Sequence, residues 1–251
     1  MKNNFFYNFS LGNINAKPSN NSETLSQILY GEKFKVLKNK KKWVKIKTNF
    51  DNYIGYIKKN YFYKNFKPTF KIKKTKSRIF IKKKNKFLPT KNYLFFASGI
   101  SVLNKNKGLI EFKKDRWIKK SDIVKIDHFE KDYLKIMKLF KNSKYLWGGK
   151  TSDGIDCSAL IQIYFYYNRI FFPRDTKDQI KFCKRKRSKN RLKGDIVFWK
   201  GHVGICLNKS RFIHAYGPKK KVIIMPTGQT IKLIDKTANL KVKKVSNISN
   251  I

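Results

Sequence analysis

Short segments in which apolar and polar side chains alternate run through the first 125 residues of the chain. The alternation is clearest at residues 33–37, 43–47 and 53–57, and turn-forming residues separate these segments. A period of two places every second side chain on one face of a strand, and no helical period competes with it here. A run of short, turn-separated strands of this kind predicts a small β-barrel.

The pattern changes near Asp127, where helix-like spacing replaces the alternation. Apolar residues recur every three or four positions between residues 130 and 141, which predicts a short amphipathic helix. A second helix is predicted after Asp156, because apolar residues there are spaced three or four apart and share one helix face. These residues are Cys157, Leu160, Ile161, Tyr164 and Phe165. Strands are predicted beyond it at residues 196–199, 203–207, 211–215 and 222–225. Helices followed by a run of strands predict an α+β domain.

The basic tail after Asp235 carries neither period clearly. We expect it to pack loosely at an edge or to fray.

Charge is the most conspicuous property of the composition, since 60 Lys and Arg against 15 Asp and Glu give a formal net charge of +45. Nucleic-acid binding is the first hypothesis for such an excess. The basic runs are scattered along the whole chain, however, as at residues 38–42, 71–76 and 241–244. Heavy use of Lys, Asn, Ile and Phe together is typical of a genome low in G and C. We therefore interpret the excess as solvated surface lysine and expect no nucleic-acid partner.

Cysteines, histidines and apolar segments exclude several classes of site. Three cysteines, Cys157, Cys183 and Cys206, are too few and too unevenly spaced for a disulfide scaffold or a zinc site. With three histidines as well, we expect no bound metal and no cofactor. The longest apolar stretch, residues 93–103, is much shorter than the ~18–20 residues that cross a bilayer, so no membrane insertion is expected.

The cellular location is predicted from the thiols and from the N-terminal segment. Asparagines interrupt that segment where an export signal would have its apolar region. Free thiols favour a reducing compartment. These features predict a cytoplasmic protein, with a periplasmic or secreted one as the alternative.

Cys157 is the first candidate for chemistry. Asp156 is a good helix N-cap, so Cys157 would lie in the first helical turn. There, unpaired backbone N–H groups and the positive end of the helix dipole favour a thiolate. The same groups could stabilise an oxyanion formed when the thiolate attacks a carbonyl. The alternative interpretation is a small buried residue at a helix start.

Two histidines strengthen the catalytic interpretation. His202 begins one predicted strand and His214 lies on the next. A hairpin centred near Asn208 would pair them directly, and one centred a residue later would make them diagonal neighbours. A thiol nucleophile needs a base, and the base needs an orienting partner. His202 is therefore the predicted base and His214 its orienter, whereas Cys183 and Cys206 receive no chemical role.

Six segments between residues 145 and 215 form an ordered set. They are YLWGG at 145–149, GIDCSALIQ at 154–162, PRDT at 173–176 with Gln179, GDIVFW at 194–199, GHVGI at 201–205 and IHA at 213–215. In this order they resemble the NlpC-type family of papain-like cell-wall peptidases.

The resemblance implies roles for several residues. Cys157 is then the nucleophile, His202 the base and His214 the third polar residue. The hydroxyl of Tyr145 lies beside the oxyanion. Ala159 stands where the family usually has glycine, and we expect no loss of activity from this difference.

The N-terminal strands carry a second resemblance. The Gly31-Glu32 turn, WVKI at 43–46 and GYI at 55–57 resemble a bacterial SH3-like domain, with Tyr56 where that family usually has tryptophan. Residues 70–125 resemble a second, diverged copy through FFASGISVL, KGLIEF and DRWIKKSDIV. We therefore predict SH3-like domains at 1–68 and 69–126 and a papain-like peptidase domain at 127–251.

SH3-like domains before an NlpC-type domain resemble the γ-D-glutamyl-diamino-acid endopeptidases, which cut murein stem peptides carrying a free N-terminal L-alanine. The resemblance implies a murein stem peptide as substrate and, in the cytoplasm, recycling of imported peptides. In that group the SH3-like domain lies beside the active-site cleft. A free amine needs carboxylate and hydroxyl partners.

Several residues are candidates for substrate contact on this basis. Asp156 is the candidate carboxylate for the amine, and either Glu23 or Glu32 a second one. Tyr53 is the candidate tyrosine of the SH3-like domain, with an ordinary strand aromatic as the alternative. Ser158, Arg174 and Asp175 are the other predicted peptide contacts. For Asp175, the alternative is a cap on a helix that begins at Thr176, with Asp178 at the capping-box position.

Two other functions are compatible with the sequence. One is a binding module whose charge holds an anionic polymer and whose peptidase domain is vestigial. The other is acyl transfer through the same thiol chemistry.

Overall fold

The computed structural model describes residues 4–186 and 190–251, and the chain divides into two compact units between Phe129 and Glu130. None of the helices within these described ranges has the length and apolar character needed to cross a bilayer.

The first unit consists of short strands, as the alternation predicted. Its first six strands are β1 (Asn4–Phe6), β2 (Leu11–Asn15), β3 (Thr24–Leu29), β4 (Lys33–Lys40), β5 (Trp43–Thr48) and β6 (Ile54–Lys58). They form one antiparallel sheet in the order β1-β4-β5-β6-β2-β3. The three segments that alternate most clearly in the sequence correspond to β4, β5 and β6.

The core of this sheet explains why its strands alternate. Inward positions of neighbouring strands meet, as where Val44 pairs with Ile57 and Ile46 with Gly55. A Cβ at Gly55 would lie 2.4 Å from a methyl carbon of Ile14, so the crossing of β2 and β6 requires glycine. The buried apolar side chains are Tyr7, Ile14, Ile28, Phe34, Val44, Ile46, Ile57 and Phe62.

Two further sheets complete the first unit. Their strands are β7 (Phe70–Ile72), β8 (Lys76–Lys83), β9 (Lys86–Phe95), β10 (Gly99–Ile100), β11 (Asn104–Asn106), β12 (Leu109–Lys113), β13 (Arg116–Lys119) and β14 (Ile123–Lys125). The orders are β10-β7-β14 and β11-β12-β13-β8-β9, around a core that includes Tyr30, Ile72, Leu94, Ile110 and Ile118. The predicted division between residues 68 and 69 stays a prediction.

The second unit combines helices with a sheet, so the predicted α+β class is confirmed. Its helices are α1 (Tyr133–Lys138), α2 (Cys157–Asn168), α3 (Thr176–Phe182) and α4 (Thr227–Ala238). Its strands are β15 (Lys150–Thr151), β16 (Gly154–Ile155), β17 (Asp195–Trp199), β18 (His202–Cys206), β19 (Arg211–Tyr216), β20 (Lys221–Pro226) and β21 (Lys244–Asn247). The main sheet is antiparallel, in the order β20-β19-β18-β17-β21.

Helix α2 packs against β18 and β19, which brings its first turn to the sheet. Nearly all its residues are buried, and it ends at Arg169 in the left-handed conformation (φ 61°). Helix α1 is shorter than the predicted span of 130–141 because Asp132 caps it: the carboxylate accepts a hydrogen bond from the Leu134 N–H at 3.0 Å.

Of the two expectations for the tail after Asp235, fraying is wrong, whereas packing at an edge is confirmed in a firmer form than predicted. Helix α4 continues to Ala238, and β21 then pairs antiparallel with β17 over four residues. Ser246 is fully buried, and the Asn247 amide donates to the Asp195 carboxylate at 2.8 Å. Pairing with the edge of a sheet supplies the order that the tail's own composition does not predict.

Candidate active site

Cys157 is the first residue of α2, as the sequence predicted. The Asp156 carboxylate caps the helix by accepting a hydrogen bond from the Ala159 N–H at 2.8 Å. The thiol is buried, and its Sγ lies 3.9 Å from Thr176 Oγ1 and 4.0 Å from the Gly201 carbonyl oxygen.

The resting state of this thiol differs from the predicted thiolate. Burial raises the pKa of Cys157 to about 11, and the Asp156 carboxylate adds to the rise. The backbone N–H of Val203, the Thr176 hydroxyl and the Arg174 guanidinium act in the opposite direction on that pKa. Desolvation outweighs the helix terminus here, so the sulfur carries its proton at neutral pH.

His202 and His214 form a hydrogen-bonded pair, with 2.9 Å between His202 Nε2 and His214 Nδ1. Strands β18 and β19 pair Ile205 with Ile213, which centres the hairpin one residue after Asn208. The two histidines are therefore diagonal neighbours, the second of the two predicted registers.

Gly204 provides the space for this pair. Extending the β18–β19 register places Gly204 opposite His214. A Cβ at Gly204 would lie 2.8 Å from the His214 Cβ and 2.4 Å from the ring of Phe212. Any larger residue would displace His214.

Both imidazoles are neutral in the resting protein. Burial lowers the pKa of His202 to about 4, and burial together with His202 lowers that of His214 to about 3. His214 Nε2 is buried and has no hydrogen-bond partner within the described ranges. Because His202 Nε2 is bonded to His214, Nδ1 is the His202 nitrogen that remains to exchange a proton.

The thiol and His202 belong to one local structure. Gly201 and Val203 flank His202 in sequence, and both contact Cys157 Sγ through their backbones. The His202 ring is held between aromatic rings, with its centroid 5.6 Å from Trp199 and 5.5 Å from Tyr216. The arrangement has the parts that nucleophilic catalysis by cysteine requires.

Tyr145 lies near enough to Cys157 and Asp156 for their charges to act on its phenol. Burial raises its pKa, and the neighbouring Cys157 and Asp156 raise it further, so the phenol stays protonated. Its ring lies 3.6 Å from the position that a Cβ on Gly217 would take. A half-buried, protonated hydroxyl close to the nucleophile is a suitable hydrogen-bond donor to an oxyanion.

The Asp156 carboxylate is the centre of a buried polar cluster. Arg174 binds it in a bidentate manner, with Nη1 3.0 Å from Oδ1 and Nη2 2.6 Å from Oδ2. Oδ1 also accepts from the Ser158 hydroxyl, and Oδ2 accepts from the Gly148 N–H. The carboxylate thus holds Gly148, the first turn of α2 and Arg174 in place together.

Two residues near Cys157 have a structural role that the sequence did not predict. Thr176 contacts the sulfur, and Gln179 donates hydrogen bonds to the Ser158 and Pro173 carbonyls at 3.0 and 2.9 Å. Thr176 is the last residue of the PRDT segment, and Gln179 follows it three residues later. The motif therefore included both residues, although their spacing alone predicted no function for them.

The remaining predicted contacts are more dispersed. Asp175 is the residue before α3, but its side chain makes no capping hydrogen bond to that helix. In the first unit, Tyr53 is half-buried against the core of the six-stranded sheet. Glu32 is buried and accepts from the Leu29 N–H at 3.1 Å, whereas Glu23 is exposed. Their contacts with substrate stay predictions.

Outside this site, the two other cysteines are buried, and burial raises the pKa of each thiol to about 11. Within residues 4–186 and 190–251, no group of three or more His, Cys, Asp or Glu side chains is placed to hold a metal ion.

Comparison with known families agrees with both resemblances. Residues 142–237 match the NlpC/P60 family, and residues 14–60 match the bacterial dipeptidyl-peptidase Sh3 domain. Residues 142–237 thus carry an NlpC/P60 peptidase domain, and the chain is a cysteine-type peptidase.

Individual relatives extend the NlpC/P60 match. The γ-D-glutamyl-L-lysine dipeptidyl-peptidase of Bacillus subtilis is 27% identical over 82% of this chain and 77% of its own length. The murein DD-endopeptidase MepS/murein LD-carboxypeptidase of Escherichia coli K12 is 34% identical over 30% of this chain, and the match spans 44% of that protein. A solved NlpC/P60 family protein from Bacillus cereus superposes with a TM-score of 0.78 at 17% identity, covering 97% of this chain and 99% of that one. The shared fold confirms the predicted architecture.

Proposed function

We propose that this NlpC/P60 peptidase hydrolyses the amide bond between γ-D-glutamate and a diamino acid in murein stem peptides that carry a free N-terminal L-alanine. The observation that carries the proposal is the contact of Cys157 Sγ with the backbone on both sides of His202, whose Nε2 is bonded to His214. The bond and the substrate class are those in the name of the Bacillus subtilis relative, a γ-D-glutamyl-L-lysine dipeptidyl-peptidase.

The first step is attack by the thiol on the γ-carbonyl carbon. His202 Nδ1 takes the proton from Cys157 as the sulfur–carbon bond forms, because the resting pair is neutral. The Nε2–H group of His202 donates a hydrogen bond to His214 Nδ1 throughout this step. The bond orients the His202 ring and stabilises the positive charge of the imidazolium. This role requires His214 to carry its own proton on Nε2.

The negative charge that forms on the carbonyl oxygen needs donors. The backbone N–H of Cys157 is one of the groups at the start of α2 without a partner within the helix. The Tyr145 hydroxyl, which stays protonated, is the proposed second donor.

Collapse of the intermediate breaks the carbon–nitrogen bond, and His202 returns its proton to the departing amine. A thioester then joins Cys157 to the γ-carbonyl of the D-glutamyl residue. Water, deprotonated by His202, attacks the thioester, and the carboxylate product leaves with the thiol restored.

A single comparison tests the reaction. The tripeptide L-Ala-γ-D-Glu-L-Lys and its diaminopimelate counterpart are incubated with the whole protein, and the products are resolved by mass. We expect L-Ala-D-Glu and the free diamino acid from the wild type and none from Cys157→Ala. Cys183→Ala, which removes a buried thiol outside the site, is the matched control and should cleave normally. Cleavage by Cys157→Ala would reject the mechanism.

The requirement for a free amine is tested separately. The same tripeptide with an acetylated N-terminus should be cleaved at least tenfold more slowly, because an amide cannot form the charged hydrogen bonds of an ammonium group. Equal rates for free and acetylated peptides would reject the amine requirement and leave the thiol mechanism intact.

We also propose that the protein acts in the cytoplasm on imported peptides, for which the free thiols are the supporting feature. Cell fractionation with detection of the chain decides between this location and the periplasm.

A further inference from the structure

The first unit contains a cavity that the peptidase mechanism does not use. Its volume is about 140 Å³, and Asn8, Tyr30, Leu94, Phe112, Lys113 and Arg116 are among the residues that line it. A space of this size holds a ligand about as large as benzene.

Two cations meet at one side of this cavity. Lys113 ends β12, Arg116 begins β13, and the two residues are direct cross-strand partners at the tip of the hairpin. Like charges placed opposite each other on a hairpin destabilise it. Within the described ranges, neither side chain forms an ion pair with a carboxylate.

The acidic residues of this hairpin do not neutralise the cations. Glu111 accepts hydrogen bonds from the Asp115 N–H and the Asn104 amide, which turns its carboxylate toward the turn. Arg116 donates only to the carbonyl of Asp115 within the described chain. The pair therefore lacks a counter-ion at the cavity wall.

Lys113 is less solvated than an ordinary surface lysine. It is half-buried, and its Nζ lies 5.9 Å from the ring centroids of both Phe9 and Tyr63. Burial and the charge of Arg116 lower its pKa. The equivalent hairpin between β8 and β9 pairs Lys83 with Lys86, but both of those are exposed.

Asn8, which also lines the cavity, has an unused acceptor. Its residue is 7% exposed, and its Nδ2 donates to the Tyr61 carbonyl at 2.8 Å. This bond fixes the orientation of the amide, so Oδ1 is the atom left over, and it is buried with no partner in the described ranges. A buried acceptor of this kind calls for an N–H donor.

We propose that this cavity binds a small organic carboxylate that also carries an N–H donor, namely an amino acid or the carboxyl end of a short peptide. The carboxylate pairs with Lys113 and Arg116, and the N–H group donates to Asn8 Oδ1. The side chains of Leu94 and Phe112 give the remainder of the ligand an apolar wall. The inference goes beyond the proposed peptidase function, since the cavity lies wholly in the first unit.

Calorimetric titration of the whole protein tests the proposal, with alanine, alanyl-alanine, propionate, alaninamide and inorganic phosphate as probes. We expect saturable binding of alanine or alanyl-alanine, and the better of the two distinguishes a free amino acid from a peptide end. Propionate lacks the N–H donor and should bind at least tenfold more weakly, and alaninamide lacks the carboxylate and should not bind.

Substitutions locate the binding. Arg116→Gln, at an exposed position that should not affect folding, is expected to weaken binding at least tenfold, and Lys113→Met likewise. Lys86→Gln removes one charge from the exposed hairpin pair and is the matched control, with unchanged affinity. Absence of saturable binding, equal binding of phosphate, or full affinity in Arg116→Gln would each overturn the proposal. Peptidase activity is not the readout, so these outcomes are independent of the proposed reaction.

Discussion

At the scale of single residues, burial decides the protonation of Cys157, the proposed nucleophile, and of His202, its proposed base. A cysteine at a helix start is expected to ionise easily, but the surroundings of Cys157 exclude water and hold the proton on sulfur. The same exclusion keeps His202 and His214 unprotonated. Cys157 and His202 are therefore a neutral thiol and a neutral base. In the proposed mechanism the proton moves between them only when the carbonyl is attacked.

The histidine pKa values predict an unusual pH dependence. The base must be unprotonated, so kcat/KM should fall only below about pH 4, where His202 gains its proton, rather than near the ordinary histidine value of about 6.5. Initial rates at subsaturating substrate from pH 3.5 to 8 measure this limb. An apparent pKa near 6.5 would contradict the assignment.

The stability of the fold should change in the same acid range. The unfolded chain binds a proton at each histidine below about pH 6.5, whereas folded His202 does so only near pH 4, so stability falls as the pH is lowered between these values. The loss between pH 7 and 5 should be on the order of 2 kcal/mol for His202. Urea unfolding measures it, and His202→Gln should remove this part of the pH dependence while leaving the part that comes from His214.

Thr176 is the residue whose role only the structure revealed. Its hydroxyl is 3.9 Å from Cys157 Sγ and helps to hold the sulfur in position. Thr176→Val keeps the shape and removes the hydroxyl, and it should lower kcat about fivefold, equivalent to about 1 kcal/mol. Thr176→Ser restores the hydroxyl and should recover most of the rate. Wild-type kcat in the valine variant would show that this contact is incidental.

At the scale of elements, the main sheet depends on a strand that the sequence did not predict. Strand β21 covers the outer edge of β17, and Asp195 links the two. This carboxylate is fully buried and also accepts from Lys186 Nζ at 2.7 Å and from the Leu192 N–H at 2.8 Å. Asp195 thereby holds β17, the strand that directly precedes the β18–β19 hairpin carrying His202 and His214.

Loss of this carboxylate should destabilise the second unit. Asp195→Ala leaves Lys186, which is mostly buried, without its partner, and we expect a decrease of about 3 kcal/mol in the free energy of unfolding. Asp235→Ala breaks the exposed ion pair with Lys241 and is the matched control, with a change of at most about 0.5 kcal/mol. Chemical denaturation compares them, and equal effects would show that Asp195 is not the anchor of β21.

Strands and helices were predicted correctly from the sequence where a segment follows a single hydrophobic period. The strands β4, β5 and β6 and the helix α2 carry clear periods, and their predicted spans agree with the structure to within a few residues. Helix α1 is shorter than its apolar pattern because a cap at Asp132 determines where it begins. Strand β21 has only four residues, and its pairing partner lies about 50 residues earlier in the chain, so no local pattern could reveal it.

At the scale of the whole molecule, the net charge of +45 remains the property without a place in the mechanism. The residues proposed to react are uncharged in the resting state, and the lysines are distributed along the entire chain. A basic surface still raises the local concentration of acidic peptides through long-range attraction.

Because this attraction acts while the substrate approaches, salt should slow the association of enzyme and substrate and leave the rate of the chemical step unchanged. Raising the salt concentration from 0.05 to 0.5 M should lower kcat/KM for an acidic stem peptide several-fold, because the screening length contracts below about 10 Å, and should leave kcat unchanged. The same peptide with amidated carboxylates is the control and should respond weakly. An equal response from both peptides, or a salt-sensitive kcat, would remove the steering role.

The sequence by itself determined the strand-rich character of the first unit, the α+β class of the second, the match of residues 142–237 to the NlpC/P60 family, and the order of Cys157, His202 and His214. Those properties reside in local periods and in short ordered motifs, which neighbouring residues encode. Tertiary structure alone decided the protonation of the thiol, the contact of Thr176, the carboxylate of Asp156 already bound to Arg174, and the pairing of β21. Each of these depends on groups distant in sequence that meet where water is excluded, and desolvation has no signature in the order of residues.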